Sequence, residues 1–198
     1  PLKKMREAES DPKQKELYNL MYRNSLRILR IVNQLMDMRK VDSGQMQLHF
    51  LETDVVYFIK DIMKSFDNLA VSRNISFSIN SADDVTNLWI DQGNFDKIIF
   101  NILSNAFKYT PENGSISISI SNAKKNDGIL SSHAKEYVEF VIENTGSRVD
   151  EQHLGKLFDR FFQTDVHDAK VGSGVGLHLT KMLAELHHGD VRAYNTEE

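Results

Sequence analysis

The stretch 94–111 constrains the fold most, because helical periodicity divides its side chains between two chemically different faces. At about 100° per residue, the apolar face consists of Phe95, Ile99, Ile102, Leu103, Ala106 and Phe107. The opposite face, a stripe roughly 60° wide, carries Asn94, Asn101, Asn105 and Lys108. The first face packs into a core, whereas the second presents amides and an ammonium group.

This polar face has a composition suited to binding a metal ion and phosphate. Two carboxamide oxygens one turn apart supply hard oxygen ligands or hydrogen bonds, and a lysine one turn further adds a positive charge. The alternative is a solvated helix face, since asparagines are common there. A second stretch, 170–177, favours the binding site: its spaced glycines let backbone amides approach phosphate, and the helix start behind them favours anions.

Composition limits the function classes. With 198 residues, 40% of them hydrophobic and 26% charged, the chain can form one compact domain plus an appendage. A net charge of -4, without a basic run, argues against nucleic acid as a partner. The absence of cysteine excludes disulfides and thiolate metal sites and fits a reducing compartment. No apolar run reaches the ~20 residues of a membrane span, and a start at Pro1 predicts an excised fragment.

The N-terminal region predicts a long helix over 13–40. Its wide apolar stripe extends over several turns, and the sequence at 42–44 ends it. Such a stripe cannot be buried by one helix alone, so it requires a hairpin partner or a second subunit. We therefore expect this region to be half of a dimerising helical bundle.

The remainder alternates between the strand and helix periodicities without a strict order. The strands are expected at 46–50, 75–79, 88–90 (short and buried), 116–120 and 137–142, the last two forming a hairpin. Helices are expected after the caps Asp54, running through Phe66, and Asp91, and a last one at 179–186 ends at His187. This pattern predicts a two-layer α+β domain, with a mixed sheet covered by helices on one face. Neither a hydrolytic triad nor a histidine metal site has the required spacing.

Four ordered motifs resemble the N, G1, F and G2 boxes of sensor histidine kinases. They are Asn-x-x-x-Asn-Ala-x-Lys-Tyr-Thr-Pro at 101–111, Asn-Thr-Gly at 144–146, Leu-Phe-Asp-Arg-Phe-Phe at 157–162 and Gly-Ser-Gly-Val-Gly-Leu at 172–177. The resemblance covers 46–194, and 24–44 resembles the second helix of the family's dimerisation and phosphoacceptor hairpin. It implies a partial hairpin at 1–45 and a catalytic ATP-binding domain at 46–198, whose closing strand is expected to be truncated.

The resemblance implies a GHKL-type fold that binds ATP with Mg²⁺. In it Asn105 coordinates Mg²⁺, Asn101 and Lys108 reach the phosphates, Tyr109 lies against adenine, and the backbone of 172–177 wraps the triphosphate. The implied cofactor-binding residues are Asn101, Asn105, Lys108, Tyr109, Asn144, Gly146, Phe158, Gly172, Gly174, Gly176 and Leu177, and the implied catalytic residues are Asn101, Arg160 and Lys170. The implied partners are a response-regulator receiver domain and a second subunit bound through the hairpin. The implied location is the cytoplasmic portion of an inner-membrane sensor.

Three departures from the family pattern affect this expectation. Asn144 replaces the aspartate that accepts from the adenine amine, and Arg148 replaces the second glycine of its motif. Gln163 stands where many members have arginine, so Arg160 or Lys170 would face the γ-phosphate. None of the seven histidines lies in a His-Glu-x-x-Thr-Pro setting, which predicts a phosphoacceptor upstream of this chain.

Three functions from different classes follow. The first is a histidine kinase core that phosphorylates a histidine of the hairpin for relay to an aspartate. The second is a GHKL ATPase of the gyrase, chaperone or mismatch-repair kind, in which nucleotide closes a dimer; the preceding helix argues against it. The third is a degenerate kinase that only scaffolds, motivated by Asn144, Arg148 and Gln163. The intact Asn101, Asn105 and Lys108 count against it. Phosphohistidine formation and nucleotide titration discriminate among them.

Overall fold

The computed structural model of the chain describes residues 3, 5, 11–82, 87–124, 136–146, 148–163 and 174–196. The chain divides into two compact units, Pro1–Met46 and Gln47–Glu198. Within the described ranges, no helix combines the length and apolarity needed to cross a bilayer.

Helix α1 (Pro12–Asp42, 31 residues) dominates the described part of the first unit and confirms the helix expected at 13–40. Asp11 caps its start by accepting a hydrogen bond from the Lys13 amide, and proline suits the first helical position because it needs no amide hydrogen. Gly44, at φ 66°, allows the chain to leave the helix. Much of its apolar stripe is exposed in this single chain, at Leu17, Leu20, Met21, Ile28, Leu29, Val32 and Met36.

The second unit is a mixed α+β domain, as predicted. Its elements in chain order are β1 (Leu51–Thr53), α2 (Val55–Lys64), α3 (Asp67–Ser72), β2 (Ser76–Ser81), β3 (Leu88–Ile90), α4 (Gln92–Tyr109), β4 (Ser115–Lys124), β5 (Glu136–Asn144), α5 (Glu151–Leu154) and α6 (Gly176–Leu186). One sheet has the order β2-β4-β5, with β2 parallel and β5 antiparallel to β4. A separate antiparallel pair joins β1 to β3.

Helix α4 packs with its apolar face on the three-stranded sheet. Strand β4 contributes Ile116, Ile118 and Ile120, all buried, in alternation with more exposed serines. The Phe107 ring of α4 meets Phe77 of β2 edge-on with centroids 5.0 Å apart. The ring of Phe95, near the start of the helix, packs on the ring of Phe140 of β5, with centroids 5.4 Å apart. This packing holds α4 on the sheet and turns its polar face away from the core.

Side-chain caps fix where α2 and α4 begin, and both were predicted. Asp54 accepts a hydrogen bond from the Tyr57 amide at 2.9 Å. Asp91 accepts from the amides of Asn94 at 2.9 Å and His49 at 2.8 Å. Burial acts to raise the pKa of Asp91, but these hydrogen bonds to its charged form outweigh burial, so the pKa lies below its ordinary value.

Three predictions of local structure were wrong. The region 46–50 is not a strand, because the Met46 amide bonds to Lys40 O at the end of α1 and the His49 amide bonds to Asp91. The helix expected to continue through Phe66 ends at Lys64, and α3 begins at Asp67. The side chain of Trp89 is 67% exposed, not buried, because it lies on the open side of the β1-β3 pair.

Candidate functional site

On the polar face of α4, two asparagine side chains are held by hydrogen bonds and a third, nearer the C-terminus, is open. Asn101 donates from Nδ2 to Gly176 O at 3.3 Å, which ties the middle of α4 to the start of α6. Asn94, nearer the N-terminus, accepts from Lys97 Nζ at 3.1 Å. Asn105 is half-buried, and none of the described residues makes a hydrogen bond with its side chain. Its oxygen is therefore available to a ligand.

Lys108 and Tyr109 form a pair at the C-terminal end of α4. The lysine Nζ donates to the tyrosine hydroxyl at 2.8 Å and lies 4.5 Å from the centre of the ring. Both side chains are exposed. An ammonium group and an aromatic surface are thereby presented together, a combination suited to a ligand with a phosphate and a planar ring.

The loop after β5 lies directly on the end of α4. Thr145 anchors this loop, because its Oγ1 accepts from the Ser115 amide at 2.8 Å and its own amide donates to Ser115 O at 3.0 Å. Gly146 follows at φ 143°, and a Cβ there would lie 2.5 Å from Tyr109 O. Only glycine fits this approach, so the Asn-Thr-Gly motif is held against the last residue of the helix.

Asn144 presents a free acceptor beside this loop. Its Nδ2 donates to Thr145 O at 3.1 Å, and the side chain is exposed. None of the described residues donates to its carboxamide oxygen. Arg148, two residues beyond Gly146, is also exposed. The substituted motif therefore retains a neutral acceptor where the family pattern has a carboxylate.

The phenylalanine-rich segment packs against the glycine motif and α6. The Phe161 amide donates to Gly174 O at 3.0 Å, and a Cβ on Gly174, which has φ 66°, would lie 2.7 Å from the carbonyl carbon of Phe161. The Phe158 carbonyl lies 2.9 Å from His178 Nδ1 of α6. The Arg160 guanidinium lies 5.2 Å from the centre of the Phe161 ring. These contacts bring the two motifs together.

At the start of α6, the N-cap residue supplies no side-chain cap to the first backbone amides of the helix. Val175 occupies the N-cap with a buried, apolar side chain, so it offers no acceptor to the first amides of the helix. Gly176 begins the helix, and its carbonyl accepts from Thr180 Oγ1 at 3.0 Å as well as from Asn101. Leu177 is half-buried beside it. An anion at this end would find both amide donors and the positive end of the helix dipole.

Together these contacts connect the four motifs into one cluster, which we call the α4–α6 cluster. Its links are Asn101 with Gly176, Tyr109 with Gly146, and Phe161 with Gly174. Two predicted site residues, Lys170 and Gly172, lie outside the described residues. Sequence reasoning missed His178, because a lone histidine on a helix gives no signal that it anchors a distant carbonyl. In the described ranges, no three histidine, aspartate or glutamate side chains group as metal ligands would.

Comparison with known families decides the identity. Residues 90–198 match the family described as histidine kinase-, DNA gyrase B- and HSP90-like ATPases. The chain belongs to this family. The predicted resemblance to the catalytic ATPase domain of sensor histidine kinases is confirmed.

Individual relatives of the chain are histidine kinases. The chain is 33% identical, over 86% of its length, to histidine kinase P4 of Formosa agariphila. It is 29% identical, over 96% of its length, to the sensor histidine kinase TmoS of Ectopseudomonas mendocina, and 28% identical, over 86%, to WalK of Bacillus subtilis. It spans 12%, 19% and 27% of the lengths of these three relatives.

Two solved structures show the same fold. Full-length ShkA in complex with AMPPNP superposes with a TM-score of 0.72 at 19% identity, covering 91% of this chain and 35% of ShkA. The histidine kinase ThkA in complex with the response regulator TrrA superposes with a TM-score of 0.68 at 22% identity, covering 99% of this chain and 52% of ThkA. The predicted arrangement, a helix before a mixed sheet packed with helices, is confirmed.

Proposed function

We propose that this ATPase domain is the MgATP-binding core of a histidine protein kinase in a two-component system. The observation that carries the proposal is the hydrogen bond from Asn101 to Gly176, which fastens the polar face of α4 to the glycine motif. Beside it, the half-buried Asn105 keeps an oxygen available. We infer that this arrangement supplies the backbone amides, ammonium group and hard oxygens that the phosphates of a nucleotide and their metal ion require.

The phosphate end of the site combines carboxamides, an ammonium group, backbone amides and a further basic side chain. We assign Mg²⁺ to the Asn105 oxygen, because an uncommitted carboxamide oxygen is a hard ligand and fits an ion that keeps most of its shell for phosphate oxygens and water. When bound, the ion neutralises charge on the phosphates. Asn101, Lys108 and the backbone of 172–177 bind the phosphates. Because Gln163 stands where many members of the family have arginine, Arg160 or Lys170 faces the γ-phosphate instead.

We assign the base to the other end of the α4–α6 cluster. Tyr109 offers its ring, Gly146 and Phe158 line the approach, and the free oxygen of Asn144 accepts from the exocyclic amine of adenine. A neutral acceptor contributes about 0.5–1.5 kcal/mol against roughly 1.5–3 for a charged one. Relative to an aspartate at this position, we therefore expect about tenfold weaker binding.

The proposed reaction transfers the γ-phosphoryl group of ATP to a histidine. The bond from phosphorus to the β–γ bridging oxygen breaks as a bond to an imidazole nitrogen forms, and ADP leaves. We place the acceptor on the other helix of the hairpin to which 1–45 belongs, with 46–198 as the catalytic domain. The exposed apolar stripe of α1 supports a homodimer through that hairpin.

The proposed recipient of the phosphoryl group is an aspartate of a response-regulator receiver domain. The solved complex of ThkA with the response regulator TrrA supports this class of partner. Relatives named as sensor proteins, such as EvgS of Escherichia coli, support a parent with a sensing region. We propose the cytoplasmic portion of an inner-membrane sensor as the location of this chain.

Labelling with γ-labelled ATP tests the proposal. We expect the chain alone to bind nucleotide without labelling itself, and to label weakly a separate hairpin that carries the family's histidine motif, because the unlinked hairpin has a low effective concentration. Asn105→Ala is the matched negative control. Acid-labile label on the chain alone would show that one of its own histidines is the acceptor. Nucleotide binding without any label on the hairpin would favour the scaffold, for which Asn144, Arg148 and Gln163 are the motivation.

A further inference from the structure

Arg73 holds the C-terminal end of α4 from outside the four motifs. It lies in the turn between α3 and β2, and its half-buried guanidinium donates from Nη1 to Phe107 O and from Nη2 to Thr110 O. The last carbonyls of a helix have no partner within the helix and carry partial negative charge. A fork of two cationic donors is suited to two such oxygens. Arg73 therefore acts as a side-chain cap contributed by a distant turn.

The turn that carries Arg73 is also fastened to the turn that follows α4. Asn113 donates its amide to Arg73 O at 3.1 Å, and its side-chain oxygen accepts from Asn74 Nδ2 at 2.8 Å. Next to these contacts, the Ser76 amide donates to Gly114 O at 2.9 Å. The guanidinium is thus delivered by a backbone that is itself fixed against the end of the helix.

This clamp acts on the segment that carries two proposed nucleotide ligands. The two carbonyls that Arg73 holds flank Lys108 and Tyr109 in the chain. On its other side the same segment is held by Gly146, which approaches Tyr109 O too closely for any Cβ. We infer that Arg73 is a positioning residue for nucleotide binding: it fixes the backbone from which the ammonium group and the aromatic ring are presented. This inference rests on the proposed function.

Substitution of Arg73 separates its charge from its packing. Arg73→Met keeps the length of the side chain without donors, and we expect it to weaken MgADP binding by about tenfold. Arg73→Lys keeps one cationic donor group but not the fork, and we expect roughly threefold weaker binding. Calorimetric titration with MgADP, at a temperature where circular dichroism shows each variant fully folded, measures both. Because the lysine variant conserves charge, it remains informative if the methionine variant does not fold.

Two controls distinguish positioning from a general loss of stability. Ser72→Ala, next to Arg73 in the chain, removes only the exposed hydrogen bond from Ser72 Oγ to Leu69 O, so its affinity for MgADP should remain that of the parent. Ile59→Val opens space in the core around α2, where Ile59 is 0% exposed, and should lower the unfolding midpoint without changing affinity.

The inference is overturned if Arg73→Met and Arg73→Lys bind MgADP as tightly as the parent. It is also overturned if Ile59→Val loses as much affinity as Arg73→Met for an equal fall in unfolding midpoint. A parent chain that binds no MgADP would instead overturn the proposed function on which the inference depends. The role of Arg73 is supported if the affinity for MgADP falls from the parent to Arg73→Lys and again to Arg73→Met, while both control variants keep the affinity of the parent.

Discussion

Replacing Gly146 with alanine should disrupt the contact between the loop after β5 and the end of α4. The new Cβ would lie 2.5 Å from Tyr109 O, well inside van der Waals contact, at a φ of 143° that L-residues rarely adopt. Backbone strain of this kind costs of order 1–3 kcal/mol, and overpacking costs about 1–3 kcal/mol more. We therefore expect the free energy of unfolding to fall by roughly 2–6 kcal/mol, which is a large share of the ~5–15 kcal/mol by which a typical domain is stable.

Urea unfolding followed by circular dichroism measures this loss. Gly155→Ala is the matched control, because a Cβ at Gly155 meets nothing within 4 Å and its φ of -66° suits any residue. We expect the free energy of unfolding of that control to equal that of the parent within about 0.5 kcal/mol, or to be slightly higher, since alanine restricts the unfolded chain. If Gly146→Ala and Gly155→Ala unfold at the same urea concentration, the close packing of the Asn-Thr-Gly loop on α4 is refuted.

Two further substitutions test the base site and the cap of α4. Asn144→Asp should sharpen the preference for ATP over GTP by about tenfold in competition binding, because a carboxylate accepts from the adenine amine but, unlike an amide, cannot donate to the guanine carbonyl; an unchanged ratio would remove Asn144 from the base site. The pKa of Asp91 is lowered by folding, so its ionised form contributes stability at neutral pH that is lost as the pH falls through the folded pKa. Urea midpoints compared between neutral pH and about pH 2, which lies below the ordinary pKa of an aspartate, should therefore fall less in Asp91→Asn than in the parent; equal falls would contradict this role.

Features that depend on neighbouring residues were predictable from the sequence. The caps Asp54 and Asp91 were predicted because each accepts from an amide three residues ahead, a bond that the local sequence specifies. The prediction of a strand at 46–50 was wrong because the structure there depends on a residue that is distant in the sequence. The His49 amide is taken by Asp91, which is 42 residues away, and alternation of apolar residues contains no information about such a partner.

The same division applies to the α4–α6 cluster. Helical periodicity placed Asn101, Asn105 and Lys108 on one face, as the structure has them. The bond from Asn101 to Gly176 joins residues 75 positions apart, and Arg73 reaches carbonyls 34 and 37 positions away. No local pattern marks these partners, because their proximity arises only when the α4 and α6 helices and the turn after α3 pack in three dimensions.

Calorimetric titration of the chain with ATP, in the presence and absence of Mg²⁺, tests the central claim most directly. We expect Mg²⁺ to tighten nucleotide binding in the parent, and Asn105→Ala to lose about tenfold in affinity together with most of this metal dependence. Asn94→Ala, on the same helix face but paired with Lys97, should bind as the parent does. If the parent binds no nucleotide, or if Asn105→Ala keeps the full affinity and metal dependence, the proposed metal and phosphate site on α4 is wrong.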